Sequence, residues 1–183
     1  MAKSSNTPVH APVVPHLTVD DATGAIAFYK KAFAAVELAR HPAPDGKKLM
    51  HATVMVNGFP VMLNDDFPEY CGGKSRTPRS FGGSPVVIHL NVPDVDAAWK
   101  RAVAAGAEVV MPLADQFWGD RYGSLRDPYG HEWSMATHKN DPTPAEMDRA
   151  AKEAFAKMPA AKARKTAAAG PRKAARKKAA RKR

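Results

Sequence analysis

Cysteine is almost missing from this chain of 183 residues: Cys71 stands alone, so no internal disulfide can form. Long apolar runs are missing too. No stretch approaches the roughly 18 consecutive apolar residues that span a bilayer, and the opening residues lack the hydrophobic core of a secretory leader. Acids vanish from the last 23 positions, 161–183, which carry Lys162, Arg164, Lys165, Arg172, Lys173, Arg176, Lys177, Lys178, Arg181, Lys182 and Arg183. Taking these eleven from the 28 Lys and Arg leaves 17 against 18 Asp and Glu. The net charge of +10 therefore belongs to a tail joined to a nearly neutral remainder. These absences exclude a disulfide scaffold and a helical membrane protein. They predict a soluble cytoplasmic protein whose folding part, about 140–160 residues, suffices for one hydrophobic core.

What is present is a repeat. His-Leu-Thr-Val-Asp-Asp at 16–21 returns as His-Leu-Asn-Val-Pro-Asp at 89–94, 73 residues later. Each copy is a short β-branched run, an acidic cap and an Ala-rich helical stretch, which predicts two copies of one module. In the first, Val13–Val19 reads as a strand and Asp20 or Asp21 caps a helix from Ala22 to about Ala34. Val36–Arg40 is strand-like, and Lys48–Val56 and Phe59–Asn64 flank the hairpin signal Asn57-Gly58. In the second, Val86–Val92 is a strand, Asp94 caps a helix and Gly106 ends it. Glu108–Leu113, Asp120–Arg126 and His131–His138 supply three more strands. Between the modules, Asp65–Ser84 is a long loop that can serve as a lid or simply as a connector. Thr143-Pro144-Ala145-Glu146 is a capping box opening a last helix, whose stripe Met147, Ala151, Ala154, Phe155 and Met158 suits core or dimer packing.

Alternation separates the strand faces. Val86, Ile88, Leu90 and Val92 form an aliphatic set for packing on helices, as do Leu17 and Val19 in the first copy and Trp133 and Met135 in the last strand. His16, His89 and Glu132 then fall on the opposite face, a set suited to a divalent metal or to proton transfer. If the strands carrying His89 and Glu132 are antiparallel neighbours, those two residues lie level.

The paired β-α-β-β-β units, the helix carrying Phe28-Tyr29-Lys30-Lys31 and the turn Asp127-Pro128-Tyr129-Gly130-His131 resemble the vicinal-oxygen-chelate superfamily. That group includes glyoxalase I, extradiol dioxygenases and bleomycin- and fosfomycin-resistance proteins. Met50-His51-Ala52-Thr53-Val54, Met62-Leu63-Asn64-Asp65 and Phe117-Trp118-Gly119-Asp120-Arg121-Tyr122-Gly123 resemble its PhnB-like branch. The resemblance implies an α+β fold: two tandem βαβββ modules, about 13–65 and 85–140, forming a half-barrel cavity, often across a homodimer. A helical segment, 141–160, and a disordered basic tail, 161–183, follow this domain of residues 13–140, and a disordered stretch, 1–12, precedes it. Metal-using members place ligands where this chain has Val14, Val87, Ser134 and roughly Asn64, none of them a strong ligand. His16 and His89 lie one pleat further along, so a displaced metal site of His16, His89 and Glu132 is one expectation, and cavity-lining histidines without metal are the other. The family usually ends its first helix with Phe-Gly; here Ala34 follows Phe33, which costs about 1 kcal/mol if the position needs positive φ.

Trp118, Arg121 and Tyr122 form a second cluster, an aromatic wall beside a guanidinium that suits a flat, anionic or oxygen-rich ligand. Alternatively Trp118 packs under its loop and Arg121 pairs with Asp120 or Asp127. His51 sits mid-strand and can reach the cavity. The function expected is binding of a small polar or aromatic metabolite or toxin without classical metal catalysis. A metal-dependent lyase, isomerase or dioxygenase is the alternative. A third reading rests on the tail, which resembles those of histone H1 and some bacterial nucleoid proteins and predicts nonspecific DNA or RNA contact through counterion release.

Overall fold

The structure, a computed structural model, describes residue 11 and residues 13–157. The expectations for 1–10, 12, Met158 and the tail lie outside the described residues. The elements run β1 (His16–Val19), α1 (Ala22–Phe33), β2 (Val36–Pro42), β3 (Leu49–Val56), β4 (Phe59–Asp65), β5 (Val87–Asn91), α2 (Val95–Ala104), β6 (Glu108–Asp115), β7 (Asp120–Arg126), β8 (Glu132–His138) and α3 (Pro144–Lys157). The β-α-β-β-β order thus occurs twice. β1 starts three residues later than expected; Pro15 offers only its carbonyl to the ladder, accepting from the Met62 N–H at 2.9 Å. Val86, expected on the packed face, lies before β5 and is 65 % exposed.

Each module forms one four-stranded sheet, in the orders β1-β4-β3-β2 and β5-β8-β7-β6. β5 and β8 are parallel rather than antiparallel, with Val87 opposite Glu132 and His89 opposite Ser134. The connectivity dictates this: the helix crossover sets β6 running in the same sense as β5, and two hairpins restore that sense in β8. β1 and β4 are parallel for the same reason.

The helix starts repeat as well. The Asp21 and Asp94 carboxylates accept from the Gly24 and Ala97 N–H groups at 2.9 and 3.0 Å. The first helical N–H of each helix donates to the end of its module's fourth strand, Ala22 to Asp65 and Val95 to Thr137, both at 2.8 Å. At the hairpin, Asn57 and Gly58 take φ of 48° and 82°, the pairing a tight two-residue turn requires.

One core joins the modules. Trp133 of β8 lies 4.6 Å, ring to ring, from Phe33 and 5.4 Å from Tyr29, both on α1. Buried Asp127 ties the same region, accepting from the Tyr29 hydroxyl at 2.8 Å, the Trp133 Nε1–H at 3.0 Å and the backbone N–H groups of Tyr129 and His131 at 2.9 Å. Burial and that carboxylate hold the Tyr29 phenol well above its ordinary pKa. The capping box of α3 forms, Thr143 N–H donating to Glu146 at 2.9 Å. Its stripe does not join this core: Met147 and Phe155 are exposed. No helix of the described residues is long and apolar enough to cross a membrane.

Candidate functional site

The start of β1, the start of β5 and the loop between the modules enclose a groove of about 1070 Å³. His16 and His89, the equivalent residues of the repeat, both line it. So do His131 and Arg76, while Val14, Phe81, Val87 and other apolar residues supply most of its wall. Among the described residues, no Asp or Glu lines it. The inter-module loop is therefore both connector and wall; it is pinned by Arg79, which donates to Asp20 at 2.6 Å and to the Pro128 carbonyl.

On the first sheet the groove opens onto a row of imidazoles. The His16 and His51 rings are 5.7 Å apart and edge-on; His51 and His41, paired across β3 and β2, are stacked at 6.0 Å. His51 meets Thr53 Oγ1 at 3.2 Å. Burial first, then the charges His16 and His41 would carry, hold the His51 pKa below its ordinary value. Alternation left the face of His51 open; its neighbours place it beside His16.

On the second sheet His89 stacks on Tyr122 at 6.0 Å, and Tyr122 meets Trp118 edge-on at 5.7 Å. His89 Nε2 lies 3.0 Å from Asn91 Oδ1, which can only accept, so Nε2 carries the proton. His89 Nδ1 then accepts from the buried Ser134 hydroxyl at 2.8 Å. Both ring nitrogens are thereby engaged and only the ring face is offered to a ligand. Tyr122 and Trp118 thus extend from His89 much as His51 and His41 extend from His16.

Arg121 is held elsewhere. It forms a two-pronged pair with Asp96, both contacts at 2.8 Å, and a further bond to its cross-strand neighbour Asp115 at 3.1 Å. Asp96 and then Asp115 raise its pKa further above the ordinary value. The partners named from the sequence are occupied: Asp127 by the core donors, and Asp120 by Trp118 Nε1 at 3.0 Å and His138 at 2.9 Å. Glu132 sits level with Val87 and pairs with Arg126 at 3.1 Å.

The residues present do not suit a resident divalent metal. His89 has no free nitrogen, and Glu132 is two residues out of register with His89 and paired with Arg126. Val14, Val87, Ser134 and Asn64 offer at best weak ligands. Among the described residues, no three His, Cys, Asp or Glu side chains are gathered as a metal ion requires. Sequence reasoning missed Arg76, His131 and His41. From the sequence, His131 has only a place where the turn meets the last strand; its Nε2–H reaches across the modules to the Thr18 carbonyl at 3.1 Å. The signal for Arg76 was its place between Gly72-Gly73 and Gly82-Gly83, in a loop long enough to wall a site.

Known proteins share this fold. Residues 10–135 match the profile of the Glyoxalase/Bleomycin resistance protein/Dioxygenase superfamily. Uncharacterized protein Rv0887c of Mycobacterium tuberculosis (strain ATCC 25618 / H37Rv) is 65 % identical over 121 residues, 66 % of this chain and 71 % of that protein. The crystal structure of TioX from Micromonospora sp. ML1 aligns with a TM-score of 0.53 at 30 % identity, covering 69 % of this chain and 97 % of TioX. The PhnB protein from Bacillus cereus has the same fold, with a TM-score of 0.53 at 18 % identity over 69 % of this chain and 99 % of its own. A profile match over more than half of the chain, on a duplicated βαβββ architecture, means that this protein belongs to the glyoxalase/bleomycin resistance protein/dioxygenase superfamily.

Proposed function

We propose that the groove binds a small, flat polar or aromatic molecule, a metabolite or toxin, without a metal-centred reaction. The observation that carries this reading is the pair of ring rows, His41-His51-His16 and His89-Tyr122-Trp118, whose inner members His16 and His89 line one largely apolar groove. Flat rings stack on flat ligands, and an apolar wall with few polar groups is what small-molecule sites use. The test is an NMR titration of the 15N-labelled protein with naphthalene derivatives. Saturable shifts should centre on His16, Val87 and His89, and H16A H89A together should weaken binding by about tenfold or more. Absence of saturable shifts overturns the reading. Elemental analysis of untagged protein decides the metal-dependent alternative; a stoichiometric transition metal would favour the lyase, isomerase or dioxygenase reading.

Two further elements belong to this proposal. The protein works as a cytoplasmic homodimer; Val109, Val110 and Met111 on edge strand β6 support this, being exposed apolar residues on unpaired backbone. Sedimentation equilibrium checks it, a monomer at tens of micromolar being the contrary result. Residues 161–183 bind nucleic acid nonspecifically, as eleven basic residues without an acid support. Binding should fall with salt at a log–log slope of about −0.9 per phosphate engaged and be lost on truncation at 160.

A further inference from the structure

We propose that Arg76 and His16 form an anion-recognising end of the groove, so that its ligand is a flat molecule carrying a carboxylate or another oxyanion. The inference rests on the groove being the binding site. Three observations carry it. First, among the described residues the groove is lined by one guanidinium, three imidazoles and no carboxylate, so the Arg76 charge stands uncompensated inside a mostly apolar wall. Second, Arg76 is the described arginine that both lines the groove and lacks a carboxylate partner; Arg101 and Arg149 also lack one but lie outside the groove. Arg40, Arg79, Arg121 and Arg126 each have a carboxylate oxygen within 3.1 Å, whereas Arg76 pairs with none among the described residues.

Third, Arg76 is built into its place. Its backbone N–H donates to Asp66 Oδ1 at 3.1 Å, which fixes the loop and leaves the guanidinium free. Buried Thr77 and Pro78 anchor the next two residues. Arg76 and His16 also line a smaller adjoining pocket of about 450 Å³ with Thr18, Asn64 and Tyr70, so the two side chains mark the wall between the cavities. Asp66 lines that smaller pocket and not the main groove. A guanidinium donates two parallel N–H bonds to the two oxygens of one oxyanion, and the apolar wall beside it takes the flat body of the ligand. A ligand lying along the rings with its anionic group at Arg76 satisfies both halves of the groove.

The test compares 2-naphthoate with its neutral isostere 2-naphthamide by NMR titration of the full chain. Naphthoate should bind about tenfold tighter, as a two-pronged charge-assisted pair implies. R76Q should remove that preference with little change in naphthamide affinity, R76K should keep most of it, and R101Q, on the exposed side of α2, should leave it intact. Equal affinity of the two probes, or a preference that survives R76Q, overturns the anion assignment while leaving the groove as a binding site. If neither probe gives saturable shifts at the groove, the binding-site reading fails and this inference fails with it.

Discussion

The two modules share one backbone plan and use it differently. In the first, α1 buries Ala22, Ala25, Ile26, Phe28, Tyr29, Ala32 and Phe33, too many for one stripe, because the helix packs on its own sheet and also against Trp133 of the other. In the second, α2 buries only Val95, Ala98 and Ala102. The second module compensates with polar ties, among them Arg121 to Asp96 and Asp115, and Arg126 to Glu108 and Glu132. Their histidines divide in the same way. His16, His41 and His51 meet one another, and His51 bonds within its own strand, to Thr53, whereas His89, His131 and His138 each bond to a residue of a different strand. The duplication preserved strands and caps; burial and charge then specialised, one module as the core of the whole domain and the other as a clasp around it.

The strongest way to break that arrangement is at Asp127, where a carboxylate of the second module enters the core built on α1. D127A strips the acceptor from the Tyr29 hydroxyl, the Trp133 indole and two backbone N–H groups, leaving buried donors unpaired. The expected loss is about 4 kcal/mol, or roughly 10 °C in Tm, read by thermal unfolding with Trp fluorescence. R126A, which breaks a partly exposed pair of the clasp, should cost under about 1 kcal/mol. Similar losses for both would show that the polar ties of the second module carry as much as the shared core.

Much of this was legible in the sequence, and the boundary has a physical cause. Local signals carried well: the Asp21 and Asp94 caps, the Asn57-Gly58 hairpin and the alternation that put Trp133 and Met135 inside all depend on neighbours in the chain. Relations between strands carried badly. The level pairing of His89 with Glu132 failed because strand sense follows from the crossover, which no short pattern states. Arg121 had acids nearby in sequence at Asp120 and Asp127, yet its partners are Asp96, which α2 brings alongside, and Asp115 across the ladder. Arg76 carried only a weak signal, its place in the glycine-flanked loop, because its significance is a missing partner, a property of the folded surface.

The helix ends sharpen the comparison at a smaller scale. α1 ends on Ala34 at φ 53°, so the position does require the left-handed conformation, and Ala bears the strain. α2 meets the same need with Gly106 at φ 109°, after a right-handed Ala105. A34G should therefore stabilise by about 0.5–1 kcal/mol, and G106A should destabilise by about 1 kcal/mol or more, in denaturant unfolding curves. Destabilisation by A34G would mean that the Ala34 methyl makes contacts in the core edge worth more than the strain.

The smallest effect separates the histidines by sign. Burial and its imidazole neighbours lower the His51 pKa in the folded state, so the unfolded chain takes up a proton first as pH falls below about 6.5. The first module should lose stability on acidification through that window until His51 itself protonates. His138 is the reverse: its hydrogen bond to Asp120, with the charge of Asp141 adding to it, raises the folded-state pKa. Its contribution is complete below about 6.5 and is lost as pH rises through the folded value. NMR titration of the imidazole protons should place His51 below and His138 above the ordinary histidine range. Exchanging the order would mean that the carboxylates beside His138 are not held where they act on it, and that the clasp of the second module is looser than its contacts imply.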